Sequence, residues 1–179
     1  MCYYVCGNNI STGKEHTMAK AKMSYLTMAD RLKLTIARKT SDITNVALEV
    51  IERIPPFLLV VGPVTSRKRP GEDLPRLRSA ILLCKGRGIP TFNHLPFLER
   101  VTTIVRRKLG RGELSEKENA FLQTQLWRSV YRPVLKTVKV RKLLVMTDSM
   151  GSSNVRRIKK FAAEHGIIVR VVMPKPKKH

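Results

Sequence analysis

The spacing of apolar positions changes several times along the chain, and each change predicts an element. Residues 1–22 show no apolar period and predict a flexible leader. From Ser24, a residue that can cap a helix, Leu26, Leu32, Leu34, Ile36, Ile43, Val46, Ala47, Val50 and Ile51 recur at mostly helical intervals. Pro55-Pro56 stops that run. It predicts one long helix, or two short ones broken near Thr40-Ser41-Asp42.

Phe57-Leu58-Leu59-Val60-Val61 is different: five consecutive apolar residues ending in Gly62-Pro63. A run this short and continuous predicts a strand buried on both faces. A loop from Val64 to Asp73 follows, then a helix over 74–85 with Leu77, Ile81, Leu82 and Cys84 inward, ended by Gly86 and Gly88. Ile89 to Phe92 predicts a second strand. Pro96 opens a helix through Phe97, Val101, Ile104 and Val105 to Gly110, at a position where its missing N–H is harmless. Ser115-Glu116-Lys117-Glu118 has the form of a capping box and predicts a helix ending before Pro133. Lys142 to Met146 predicts a third strand, Ser152 or Ser153 caps a helix ending at His165-Gly166, and Ile167 to Met173 predicts a fourth.

Short apolar strands alternating with helices predict an α/β fold, a doubly wound parallel sheet of four to five short strands covered on both faces. The predicted organisation is a leader at 1–22, an N-terminal helical extension at 23–55, an α/β domain at 56–173 and a basic tail at 174–179. In such sheets ligands bind beyond the carboxyl ends of the strands, where strand order reverses. That points to the loops after Val61 and Met146.

Charge narrows the function. The chain has 35 Lys+Arg against 13 Asp+Glu, a net charge of +22 in 179 residues. Solubility needs only about 2–8 units, and the excess opposes compaction unless an anionic partner offsets it. Nucleic acid comes first, because each phosphate contact releases condensed counterions; an acidic protein or an anionic membrane surface satisfies the same electrostatics. No apolar run has the ~18–20 residues of a membrane span, and the N-terminus lacks a secretory pattern. Three cysteines, Cys2, Cys6 and Cys84, make no disulfide framework and fit a reducing cytoplasmic setting. Cys2, Cys6 and His16 have the wrong spacing for a zinc knuckle and lack a fourth ligand, so no metal or other cofactor is expected. Met18 and Met23 are alternative starts.

Several segments, in order, resemble the nucleoside 2-deoxyribosyltransferase-like superfamily, especially its small phage and bacterial members. They are Phe57 to Thr65, Gly88-Ile89-Pro90-Thr91-Phe92-Asn93-His94-Leu95-Pro96-Phe97 and Tyr131-Arg132-Pro133-Val134-Leu135. Leu143-Leu144-Val145-Met146 leading to Ser152-Ser153, and Ala162-Ala163-Glu164-His165-Gly166-Ile167, complete the set. The resemblance implies a Rossmann-like (flavodoxin-like) sheet that binds a nucleoside or nucleotide, often as a homo-oligomer, in a bacterial or phage-infected cell. It also implies a glutamate nucleophile attacking the anomeric carbon of the sugar. Counting from Ser152, that position holds Ile158, or Lys159 one register on, and neither is a nucleophile. The family aspartate near the third strand falls at Arg141 or Lys142. Asp148 is the one carboxylate on the corresponding loop.

The segment Gly151-Ser152-Ser153-Asn154 meets a helix start, where free N–H groups and the dipole favour anions. Arg156, Arg157, Lys159 and Lys160 follow. Gly62, Pro63, Thr65, Ser66, Gly151, Ser152, Ser153, Asn154, Arg156 and Arg157 form an expected phosphate-binding set; the alternative for the four basic residues is a solvated helix face. Arg67, Lys68, Arg69, Arg106, Arg107 and Lys108, with Lys159 and Lys160, form an expected nucleic-acid surface. Such dispersion suits backbone tracking more than base reading, and aromatic content of 6% argues against extensive base stacking. Zinc-finger and RRM signatures are absent, and nothing in 24–53 demands a helix-turn-helix. His94 follows a strand end and is an acid–base candidate, but with no nearby carboxylate a structural role is the stronger reading. Trp127 and Tyr131 at i, i+4 read as packing, and His165 as a helix-end cation without chemistry.

Three functions follow: a non-catalytic nucleic-acid or nucleotide-phosphate binder on a deoxyribosyltransferase-like scaffold; an N-glycosyltransferase or hydrolase using Asp148; and an adaptor docking an acidic protein.

Overall fold

Phe57–Val61 (β1) and Val140–Met146 (β2) lie side by side in parallel, and Ile168–Val172 (β3) pairs parallel to the far side of β2. The computed structural model describes residues 25–64, 73–110, 114–146 and 152–172. Among these the sheet has three strands in the order β1-β2-β3, fewer than the four to five expected. The missing strand is reduced to one bridge, Leu58 with Thr91. The Leu58 N–H donates to the Pro90 carbonyl at 2.8 Å, and the Phe92 N–H donates to the Leu58 carbonyl at 3.2 Å. The segment has no room to pair further. Gly88, at φ 71°, turns the chain just before it, Pro90 has no N–H to give, and a helix starts at Leu95. Even so, the bridge lies on the outer side of β1. Chain order across the sheet is therefore second, first, third, fourth, with the reversal between β1 and β2.

The N-terminal apolar run forms two helices, Met28–Ile36 (α1) and Thr40–Glu52 (α2). Asp42 sets the break: its carboxylate accepts the N–H groups of Lys39 at 3.0 Å and Arg38 at 3.2 Å. Thr27 caps α1, its hydroxyl accepting the Asp30 N–H while the Asp30 carboxylate accepts the Thr27 N–H. Asp30 is buried and also takes the Arg53 guanidinium on both oxygens at 2.8 Å. Arg100 donates to the Ala37 carbonyl beyond α1 at 2.6 Å, and Lys139 to the Ile54 carbonyl beyond α2 at 2.9 Å. Part of the positive charge is therefore structural. Ile43, Val46, Ala47, Val50 and Ile51 of α2 join the same hydrophobic core as the sheet.

Asp73–Gly86 (α3) covers β1, burying Leu77, Ile81 and Cys84; Leu82, expected inward, is 59% exposed. Leu95–Leu109 (α4) has Pro96 in its first turn and ends at Gly110, φ 99°. Glu116–Leu126 (α5) starts on the expected capping box, the Ser115 N–H donating to the Glu118 carboxylate at 2.8 Å.

The helix does not stop before Pro133, as the sequence suggested. It widens into a π turn, Trp127–Tyr131, and continues as Arg132–Leu135 (α6). A proline inside a helix leaves the carbonyl four residues earlier without its donor. That carbonyl belongs to Ser129, and Thr44 of α2 fills the gap with a hydroxyl at 2.8 Å. The π turn lets the Arg132 N–H reach Trp127 instead.

Ser153–Glu164 (α7) packs Val155, Ile158 and Ala162 inward and ends at Gly166, φ 68°. Right-handed crossovers place α3 and α7 on opposite faces. The α7 face carries Leu59, Val61, Leu143 and Val145, all fully buried.

Candidate functional site

The reversal between β1 and β2 puts the carboxyl ends of both strands and the first turns of α3 and α7 at one edge of the sheet. Gly62 and Pro63 are there, but both are buried. A methyl group on Gly62 would lie 2.8 Å from the Met146 sulfur and 3.7 Å from Leu77, so this glycine serves the close approach of strand and helix. Ser152 occupies the cap position of α7 without a side-chain hydrogen bond into the helix, and Ser153 is exposed. Asn154 is buried, and its Oδ1 has no partner. Asn154, Ile158 and Ala162 share one stripe of α7, so this amide replaces an apolar residue at the mouth of the edge. The i, i+4, i+8 spacing of the three is the signal that marks it in the sequence. Asp73, buried in the first turn of α3, brings a carboxylate to the same edge. Asp73 ahead of Leu74-Pro75 is a helix-start pattern that marks it.

The four basic residues of α7 diverge. Arg156 is exposed. Arg157 turns sideways, its guanidinium 5.9 Å from the centre of the Trp127 ring. Lys159 is half-buried. Lys160 stands 4.0 Å from Glu164, both well exposed, a separation at which water screens most of the attraction. Arg156 and Lys160, one turn apart, are the outward cations of this helix. Ile158, one position for the family glutamate, is fully buried in the core.

Arg106, Arg107 and Lys108 are exposed in the last turn of α4, where cations suit the helix dipole. That helix packs against α1, α2, α5 and the π turn, and α7 packs against β2, β3, α6 and the same π turn. The α5–α6 helix thus lies against both basic helices. Thr65, Ser66, Arg67, Lys68, Arg69, Asp148 and Gly151 lie outside the described residues, as do Cys2, Cys6, His16 and the tail 174–179. Among the described residues no three His, Cys, Asp or Glu side chains gather as metal ligands, and no helix is long and apolar enough to cross a membrane.

His94 is fully buried, its ring 5.5 Å from that of Tyr131 and edge-on to it. Neither imidazole nitrogen has a well-formed hydrogen bond, nor does the Tyr131 hydroxyl. Burial pushes the imidazole down to about 4, the Phe92 backbone opposing this only in part. Burial likewise pushes the Tyr131 hydroxyl up. His94 is thus a neutral core residue, away from any surface where it could exchange protons with a substrate. Trp127 and Tyr131 both join the core, and Trp127 also meets Phe161 of α7 edge-on at 5.4 Å. His165 stacks on Phe161 at 3.9 Å.

The geometry is that of a helix start without a side-chain cap from Ser152, beside a strand reversal, with the exposed Arg156 and Lys160 on the same helix. Comparison of the chain with protein-family models, curated proteins and solved structures finds no match to any of them.

Proposed function

We propose that this chain is a non-catalytic nucleic-acid or nucleotide-phosphate binder built on a deoxyribosyltransferase-like scaffold. The observation that carries the reading is the start of α7: an uncapped helix N-terminus at the strand reversal, followed by the outward cations Arg156 and Lys160 in a chain of net charge +22. In this reading the first-turn N–H groups of α7 take a phosphate oxygen, and the two cations take the flanking phosphates. Ile158 in the core and Lys159 beside it leave that helix without the family nucleophile.

Fluorescence anisotropy of labelled duplex DNA and single-stranded RNA across a salt series tests this. A steep negative log–log slope, reporting several released counterions, is expected. A flat slope with weak binding ends the proposal and turns attention to Asp148-dependent release of free base from nucleosides.

A further inference from the structure

Parallel sheets are normally covered on both faces, and here the cover thins toward β3 on both: Val171, on the α7 face beside Val145, is 47% exposed, and the opposite face opens more widely. Its residues alternate along the strands: Val60 of β1, Lys142 and Leu144 of β2, Ile168 and Arg170 of β3. Val60 is fully buried under α3. Among the described residues the cover thins away from α3. Leu144 is half-buried, Lys142 and Arg170 are exposed, and Ile168 is 54% exposed. α3 itself forms a wall. Arg78, Leu82 and Lys85 turn one flank toward Tyr25, Leu26 and Phe92. Leu83, 58% exposed, leaves α3 on a different flank from Leu82.

The register makes a chequerboard: Lys142 faces Ile168, and Leu144 faces Arg170. Two cations stand diagonally within an apolar surface. Two strands ~4.8 Å apart, with their side chains, make a shelf about as wide as one helix of ~10 Å diameter.

We propose that this shelf docks an acidic amphipathic helix of a protein partner. Charge selects that occupant. A second copy would bring Lys142 and Arg170 against the same cations. Residues 1–24 offer Lys14, Lys20 and Lys22 against Glu15, and residues 173–179 offer three lysines and no acid. A nucleic acid finds no aromatic ring on the patch to stack on, and its backbone leaves Ile168 wet. An apolar helical stripe flanked by carboxylates one turn apart covers Ile168 and Leu144 and meets both cations. The shelf is on the sheet face opposite α7, so it stands or falls apart from the nucleic-acid reading.

The test uses the full chain and a synthetic helical peptide with a leucine stripe flanked by glutamates, beside a scrambled peptide of equal composition. The ordered peptide should bind about tenfold more tightly than the scrambled one and shift the amide resonances of Leu144, Ile168 and Arg170. Ile168→Asp should abolish that preference, and Arg170→Glu, a wholly surface change, should weaken binding with the circular dichroism unchanged. Equal binding of the two peptides would overturn the proposal, as would shifts confined to other residues. A dimer in sedimentation that Ile168→Asp dissociates would give the shelf to a second copy. Oligonucleotide-induced shifts at these same amides would give it to nucleic acid.

Discussion

The Thr44 hydroxyl donates to the carbonyl of Ser129, the oxygen that Pro133 leaves without an intrahelical donor. One side chain on α2 thus lets the α5–α6 helix pass through a proline and keeps the two helices in register. Thr44→Val removes the donor at nearly constant volume and leaves a buried carbonyl unsatisfied, a change that costs about 1–3 kcal/mol. In a Pro133→Ala background the helix regains its own N–H, and the same substitution should cost less. Urea unfolding of the four proteins in this cycle measures the coupling.

His94 gives the fold an acid limit. Its ordinary value is 6.5 and its folded value about 4, so between those pH values the unfolded chain binds a proton that the native state refuses. Stability therefore falls as pH drops from 6.5 toward 4, by about 3 kcal/mol in all. His94→Leu removes an unpaired buried imidazole. It should be close to neutral at pH 7 and abolish this part of the decline. Denaturant midpoints at pH 7 and pH 5 decide it.

Asp30 acts lower on the scale. Burial alone would raise its carboxyl, but hydrogen bonds from Thr27 and the Arg53 guanidinium outweigh burial and hold it below 3.8. Its contribution is complete above 3.8 and is lost as pH falls through the folded value. Arg53 is about half exposed, so water screens its share. Asp30→Asn should cost about 1–2 kcal/mol at neutral pH, mainly through the cap, and flatten the acid end of the stability curve below the His94 window.

At the sheet edge, Gly62→Ala places a methyl group 2.8 Å from the Met146 sulfur. A thioether swings aside, so the cost should be about 1 kcal/mol or less. Gly62→Val also meets Leu77 and should cost about 1–3 kcal/mol. Nucleic-acid affinity of the Gly62→Ala protein should be unchanged, since the residue is buried. A large loss of affinity with stability intact would move Gly62 back among the ligand-binding residues.

Arg156→Glu with Lys160→Glu should weaken nucleic-acid binding at about 150 mM salt and reduce the log–log salt slope by about one unit for each phosphate that is no longer neutralised. Arg157→Glu, facing Trp127, should instead lower stability. An unchanged slope in the double variant would remove α7 from the interface.

Much of the fold was legible, for local reasons. β1 reads as a strand because five apolar residues in a row have no polar side to turn to water. The α5 start reads from the Ser115–Glu118 pair, and the ends of α4 and α7 from Gly110 and Gly166. What failed depended on distant partners. Nothing near Pro133 reveals that Thr44 will supply the missing donor. Ile89–Phe92 has the composition of a strand, but its pairing is limited by the turn and helix around it. Leu82 fits the helical stripe, yet it is exposed where α3 meets the N-terminal segment. At the site, the spacing located the helix start at Ser152 but could not separate Arg157, committed to Trp127, from Arg156 and Lys160. His94, read from the sequence as structural for want of a nearby carboxylate, does lie in the core beside Phe92 and Tyr131.

The pairing of residues 57–61 with residues 140–145 also dictates when the molecule can become itself. During synthesis β1 leaves the ribosome early and must wait for β2 while α3, α4, α5 and α6 are made, with only the bridge to Thr91 pairing it on the other side. Helices close locally and fast, whereas a parallel ladder between such distant segments carries the full cost of a long loop closure before any pairing rewards it. Folding is therefore expected to be set by the arrival of β2, with the helices assembled first as its scaffold. Until β2 arrives, the edge of β1 that it will pair with stays open to misassembly.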